Sequence, residues 1–213
     1  MIKTLVDQAV SDKDEKPLAN FVFAHGAGAG QNSEFMQDIA LQLSQQNINV
    51  IRFNFAYIQL AIDTGKRRPP ERADKLLIQY KQVIDQVNSE IPLFIGGKSM
   101  GGRMASMLVQ DSPAKGCICM GYPFHPPGKP EKLRTAHLGE MQKPLLIIQG
   151  ERDTFGTKHE IPNYPLSSKV QLAYLTDGDH SFKPRKKSGK TLEQNMQQAV
   201  FHITDFIKSQ VGR

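Results

Sequence analysis

In the stretch "PLFIGGKSMGGRMA", residues 92–105, Gly97-Lys98-Ser99-Met100-Gly101 has the spacing G-x-S-x-G. An apolar run precedes it and a helical pattern follows, so Ser99 is expected at a sharp strand-to-helix turn. Such a turn strains the serine backbone, and its neighbours two residues away must be small for strand and helix to approach. A serine hydroxyl is a poor nucleophile until a base accepts its proton and an acid orients that base. The chain supplies both in order after Ser99. Glu151-Arg152-Asp153 follows the apolar run "PLLIIQG", and His180 follows "VQLAYL" within "TDGDHSF". Ser99, Asp153 and His180 each fall just past a strand end, which is the edge where open α/β sheets hold their sites. Acyl transfer with Ser99 as nucleophile, His180 as base and Asp153 as its acid is therefore expected, with Glu151 the second candidate for the acid.

The other histidines fit less well. His125 and His137 precede the acid, His159 follows it too closely, and His202 lies inside the final helical pattern. Asp177 and Asp179 flank His180 too tightly to hold its ring, and suit turn formation or capping.

Two glycine-rich stretches invite a nucleotide reading, and both fail on spacing. "GKS" at 97–99 resembles the end of G-x-x-x-x-G-K-[ST], but the required first glycine falls on Pro92, and the intervening residues are strand-like. "FVFAHGAGAG", residues 21–30, puts Gln31 or Ser33 where G-x-G-x-x-G needs its last glycine. No acidic residue ends the next strand, where "RFNF" stands. The alternative is an oxyanion hole, which needs two main-chain N–H groups already aimed at the developing charge. Met100, after the nucleophile, is one expected donor, and Ala27 in the glycine loop is the other, with Gly26 and Gly28 left open. His25 is expected to brace this loop by hydrogen bonding. Lys98 is expected to point away from the site or to pair with a carboxylate.

The elements needed to position these residues follow from the apolar pattern. Continuous apolar runs at 19–24, 48–53, 92–96, 115–120, 144–149 and 170–175 predict strands covered on both faces. Helical patterns occupy 33–46, 72–89, 101–111 and 190–209, the last with Leu192, Met196, Ala199, Val200, Ile203 and Phe206 on one stripe. Strand and helix in alternation predict a right-handedly wound α/β sheet with helices on both sides. Residues 55–71 and 121–143 are read as loops, and the 213 residues as a single domain, 1–213.

Composition bounds the function classes. The chain has 39% hydrophobic residues, 23% charged residues and a net charge of +6, a globular profile rather than a disordered one. No apolar run approaches the ~20 residues that span a bilayer. "MIKTLVDQAVSDKDEKP" lacks a continuous apolar segment, so a signal peptide is not expected and the protein is placed in the cytoplasm. Cys117 and Cys119 share one face of a strand at a poor separation for a disulfide, which predicts two buried thiols. The basic runs 66–72 and 183–190 carry no aromatic-rich binding pattern, so neither nucleic acid nor membrane is an expected partner. A small-molecule acyl substrate is, with no metal and no cofactor.

Taken together, "FVFAHGAGAG", "GGKSMGGRMA", "GYPFHPPGKP", "LLIIQGERDTFG" and "DGDHSF" resemble the α/β-hydrolase superfamily. The likeness is greatest to its small dienelactone-hydrolase-like branch, which includes the testis-expressed hydrolase-like proteins. It spans about residues 19–182. The resemblance implies a three-layer α/β/α sandwich with a mostly parallel sheet of about six to seven strands. It also implies a serine hydrolase with Ser99, Asp153 and His180 as its triad. Departures bear on specificity. Dienelactone hydrolases proper carry a cysteine where Ser99 stands, so their lactone specificity does not transfer. Few residues precede the first strand, so the antiparallel N-terminal strands are expected to be shortened or missing, and 121–143 is too short for a helical lid. Some relatives in the wider group are scaffolds, which leaves a non-catalytic binding protein as the alternative.

Overall fold

A computed structural model describes residues 2–10, 16–87 and 90–212. Its centre is a seven-stranded sheet in the order β1-β3-β2-β4-β5-β6-β7. The strands are β1 Thr4–Asp7, β2 Ala19–Ala24, β3 Ile48–Phe53, β4 Leu93–Lys98, β5 Gly116–Met120, β6 Leu145–Gly150 and β7 Val170–Leu175. β2 to β7 run parallel, and β1 pairs antiparallel with β3. All six strands expected from the sequence are present to within two residues, and β1 is the addition. It is the one antiparallel strand among the described residues, fixed to its neighbour by Arg52, whose guanidinium donates to Asp7 at 2.7 and 2.9 Å.

The helices are α1 Glu34–Ser44, α2 Ala56–Thr64, α3 Ala73–Ile84, α4 Met100–Leu108, α5 Ala136–Gly139 and α6 Leu192–Val211. α1 and α6 cover one face, where Ile39, Leu43, Ile203 and Phe206 join Phe21, Phe23, Val50, Phe94 and Ile148. α3 and α4 cover the other, where Leu76, Tyr80, Met104 and Val109 join Val22, Ala24, Ile95, Cys117 and Ile147. Successive residues of β2 thus enter opposite cores, and an unbroken apolar run is the pattern that a strand buried on both faces requires. The expected three-layer sandwich is the observed one. Cys117 and Cys119 are buried free thiols.

Two segments read as loops contain helix. α2 lies within 55–71, and the one-turn α5 lies within 121–143. α2 buries only Tyr57, while Leu60 and Ile62 are exposed, so no single apolar stripe marks it. The helix expected over 72–89 ends at Ile84, and positions 88 and 89 lie outside the described residues, as do 11–15 of the N-terminal segment. The 121–143 connection adds no lid-like domain. No helix among the described residues is long and apolar enough to cross a membrane.

Candidate active site

β4 ends at Lys98 and α4 begins at Met100, leaving Ser99 as the single joint between them. Its backbone sits at φ 52°, ψ −115°, a region that costs a non-glycine residue about 1–3 kcal/mol and persists only where the surroundings impose it. Close packing does so here. A Cβ on Gly97 would lie 2.5 Å from the carbonyl oxygen of Ala24 and 2.5 Å from the carbonyl carbon of Gly101. Only glycine lets β4, β2 and α4 meet this closely. The result exposes Ser99 at the carboxyl edge of the sheet, at the N-terminus of α4.

Across that edge, the loops after β6 and β7 bring Asp153 and His180 to Ser99. His180 Nε2 stands 2.9 Å from Ser99 Oγ, and Nδ1 stands 2.8 Å from Asp153 Oδ2. The three residues singled out in the sequence form one hydrogen-bonded chain. Asp153 is fully buried, and it is satisfied by the Phe155 N–H to Oδ1 and by Gln149 Nε2 to Oδ2, each at 2.9 Å. The Phe155 ring stacks on the imidazole with centroids 4.2 Å apart. Glu151, the second candidate acid, is engaged elsewhere, accepting from Lys158 Nζ at 2.7 Å and from the Asp177 N–H at 2.9 Å. Asp179 accepts the N–H groups of Ser181 and Lys183, and Asp177 holds the Arg185 guanidinium, so both shape the loop that carries His180. The Arg185 guanidinium holds the Asp177 carboxyl down at about 2. One arginine of the basic run 183–190 is thereby a brace of this loop.

The glycine loop after β2 lies against Ser99, with a Cβ on Gly26 falling 3.6 Å from Ser99 Cβ. His25 is buried beneath it. Its Nδ1–H donates to the Gly26 carbonyl at 2.7 Å, and its Nε2 accepts the Phe55 N–H at 3.0 Å, which fixes one neutral tautomer. Burial pushes its pKa down to about 4, against the smaller opposing pull of the Gly26 carbonyl. Tyr57, the one buried residue of α2, donates its hydroxyl to the Ala27 carbonyl at 2.9 Å. In a trans peptide the N–H points opposite to the C=O. With the Gly26 carbonyl turned onto His25, the Ala27 N–H is turned the other way. Neither it nor the Met100 N–H has an acceptor among the described residues.

A cleft of about 390 Å3 opens over these groups, lined by Ala27, Ala29, Phe35, Met36, Ser99 and Phe155 among others. Its wall is mainly apolar, and its size falls within the range of small-molecule sites. A groove of about 440 Å3 lies between α1 and α6, lined by Gln42, Gln46, Gln197, Thr204, Asp205 and Lys208 among others. Among the described residues no group of three His, Cys, Asp or Glu side chains is placed to hold a metal.

Residues 17–208 match the family model described as alpha/beta hydrolase domain. The chain belongs to this family. Solved structures similar to this α/β hydrolase share its fold at low identity. Est1E from Butyrivibrio proteoclasticus, solved with ferulic acid bound, is 13% identical with a TM-score of 0.70, over 100% of this chain and 96% of that one. An alpha-beta serine hydrolase homologue from Coxiella burnetii is 15% identical with a TM-score of 0.68, covering 96% and 88%. A dienelactone hydrolase from Anabaena variabilis is 17% identical with a TM-score of 0.66, covering 94% and 89%.

The remaining histidines stay apart from the cleft. His137 Nε2 lies 2.9 Å from Ser106 Oγ, His125 faces Glu160, and His159 is exposed. Lys98 departs from expectation. It neither leaves the site nor pairs with a carboxylate; it is buried with Nζ 2.5 Å from the His180 carbonyl oxygen. Gln149, Tyr57 and Phe155 were not singled out in the sequence. Gln149 carried a signal, being the one polar side chain in the buried strand "LLIIQG". Tyr57 and Phe155 carried none, since their partners are set by the tertiary fold.

Proposed function

We propose that the protein is a serine hydrolase that cleaves a carboxylic ester or a related acyl bond. The observation that carries this reading is the imidazole of His180 bridging Asp153 and Ser99 through its two ring nitrogens. In the proposed sequence, Ser99 Oγ attacks the substrate carbonyl carbon as His180 Nε2 takes the hydroxyl proton, while Asp153 accepts from Nδ1–H. The Ala27 and Met100 N–H groups, unpaired and beside the nucleophile, receive the oxyanion. Collapse of the tetrahedral intermediate expels the alcohol, which takes its proton from Nε2. Water then attacks the acyl-enzyme, giving a proton to Nε2, and Ser99 leaves with that proton as the acid is released. Ser99 and His180 handle every proton in this cycle, so the reading asks for neither metal nor cofactor.

The apolar cleft and the absence of a lid-like domain favour a small or flexible apolar acyl group. The reading places the enzyme in the cytoplasm with such a small molecule as its partner. A panel of 4-nitrophenyl esters from acetate to decanoate tests it. Wild-type protein is expected to hydrolyse the shorter esters, and Ser99→Ala to lose at least about 10^3-fold in kcat/KM. No turnover, or equal turnover in both proteins, contradicts it.

A further inference from the structure

Lys98 is the last residue of β4, and its side chain runs beneath the loop that carries His180. Its Nζ donates to the His180 main-chain carbonyl at 2.5 Å and sits 5.6 and 5.8 Å from the ring centroids of Phe35 and Phe182. Space for the ammonium comes from Gly121, at φ +62° just after β5. A Cβ there would lie 2.6 Å from Lys98 Nζ and 3.4 Å from His180 Cε1. Ammonium and imidazole therefore touch the same point and stand within about 6 Å of each other.

A buried ammonium without a carboxylate at contact distance is costly, and packing alone does not require it. A methionine would fill the same channel with an apolar stem. The charged groups that face Lys98 are Asp153, from the end of β6, and Asp179, from the His180 loop, both acting at longer range. Phe35 of α1 and Gly121, just after β5, also lie against it, and neither carries a charge. The His180 loop is anchored on either side of the ring: Asn195 of α6 donates to the Thr176 and Phe182 carbonyls at 3.1 and 2.8 Å, and the Arg152 N–H donates to the Gly178 carbonyl at 2.9 Å. At the His180 main chain itself, among the described residues, the tie is the bond from Lys98, which starts on the residue next to Ser99.

We propose, on the reading of Ser99 as nucleophile and His180 as base, that Lys98 is a positioning residue. Its charge-assisted bond fixes the His180 main chain to the strand that presents Ser99, and so sets the imidazole within reach of the hydroxyl. A charged donor makes a hydrogen bond roughly twice as strong as a neutral one, so deprotonation loosens the tie. Burial brings the ammonium down to about 8, against the opposing pull of Asp153 and Asp179. The loosening therefore falls just above neutral pH.

Lys98→Met tests the proposal by turnover and by hydrogen exchange. The variant is expected to lower kcat on 4-nitrophenyl butyrate by about 10–100-fold with KM little changed, since a misplacement of about 1 Å costs on this scale. Wild type is expected to lose kcat as pH rises through about 8, and the variant to lack that limb. Amide exchange over 178–183 is expected to quicken in the variant at pH 7 while β4 keeps its protection. Exchange is read without turnover, so a wild type that hydrolyses no ester overturns the hydrolase reading while exchange still decides the role of Lys98. Unchanged loop exchange, or wild-type kcat with the same alkaline limb, overturns the proposal. If the variant does not fold, wild-type exchange at pH 7 and pH 9, corrected for its intrinsic rate, decides instead. Loop exchange rising beyond that of β4 supports the tie, and a parallel rise overturns it.

Discussion

Replacing Asp153 by Asn tests the site at its most constrained point. The carboxylate accepts from the Phe155 N–H at Oδ1 and from both Gln149 Nε2 and His180 Nδ1 at Oδ2. An asparagine has one acceptor oxygen and one NH2 to place in these two positions. If the NH2 faces Phe155, two donors oppose each other and a largely buried N–H loses its partner, at a cost of about 1–3 kcal/mol. If the NH2 faces Gln149, little is lost there, because Gln149 Nε2 also donates to the carbonyls of Tyr122 and Gly156. The second orientation is therefore favoured, and it presents a donor to His180 Nδ1. The ring must then accept at Nδ1 and carry its proton on Nε2, which leaves no base facing Ser99. Loss of the correct tautomer is expected to lower kcat/KM by about 10^4-fold, or about 5.5 kcal/mol of transition-state stabilisation. Steady-state kinetics on 4-nitrophenyl butyrate, with Ser99→Ala as the floor, measures it. An Asp153→Asn enzyme within tenfold of wild type would refute the orientation argument.

Gly97→Ala places a methyl group 2.5 Å from two main-chain atoms that cannot swing aside. It is expected to cost about 2–3 kcal/mol and to lower the melting temperature by about 5–10 °C, and an unchanged thermal transition speaks against the close strand–helix approach. His25 has a folded pKa of about 4 against an ordinary 6.5, so the unfolded chain binds the extra proton between those values. Its contribution is full above about pH 6.5 and is lost as pH falls towards 4, amounting to about 3 kcal/mol. His25→Gln is expected to be less stable than wild type at pH 7 and to close that gap by pH 4 in urea titrations. A gap of constant size would contradict the buried neutral imidazole.

Five strands, β2 to β6, were legible in the sequence because both faces of each are buried, which leaves an unbroken apolar run; β7, at the sheet edge with Gln171 exposed, was legible from its apolar residues although it is only partly covered. β1 was not, since it is four residues long, largely exposed, and secured by Arg52 across 45 positions. α2 escaped because its apolar residues wrap around the helix, and its one buried side chain serves the glycine loop. Within the site, the order Ser99, Asp153, His180 was readable because each follows a strand that is itself readable. Asp153 ranks ahead of Glu151 in the sequence, and the fold shows what separates their side chains. Two residues apart at one strand end, they point to different partners only once the loops close. Lys98 shows the limit most clearly. Its partner is a main-chain carbonyl 82 positions later, and no side-chain pattern encodes a main-chain acceptor.

The central claim is that Ser99 is a nucleophile activated by its neighbours. Incubating folded wild-type protein with a fluorophosphonate probe, followed by peptide mapping, tests this without any choice of substrate. The account predicts one adduct on Ser99 that is absent from Ser99→Ala, strongly slowed in His180→Ala and lost on unfolding. Folded wild-type protein that leaves Ser99 unmodified would contradict it.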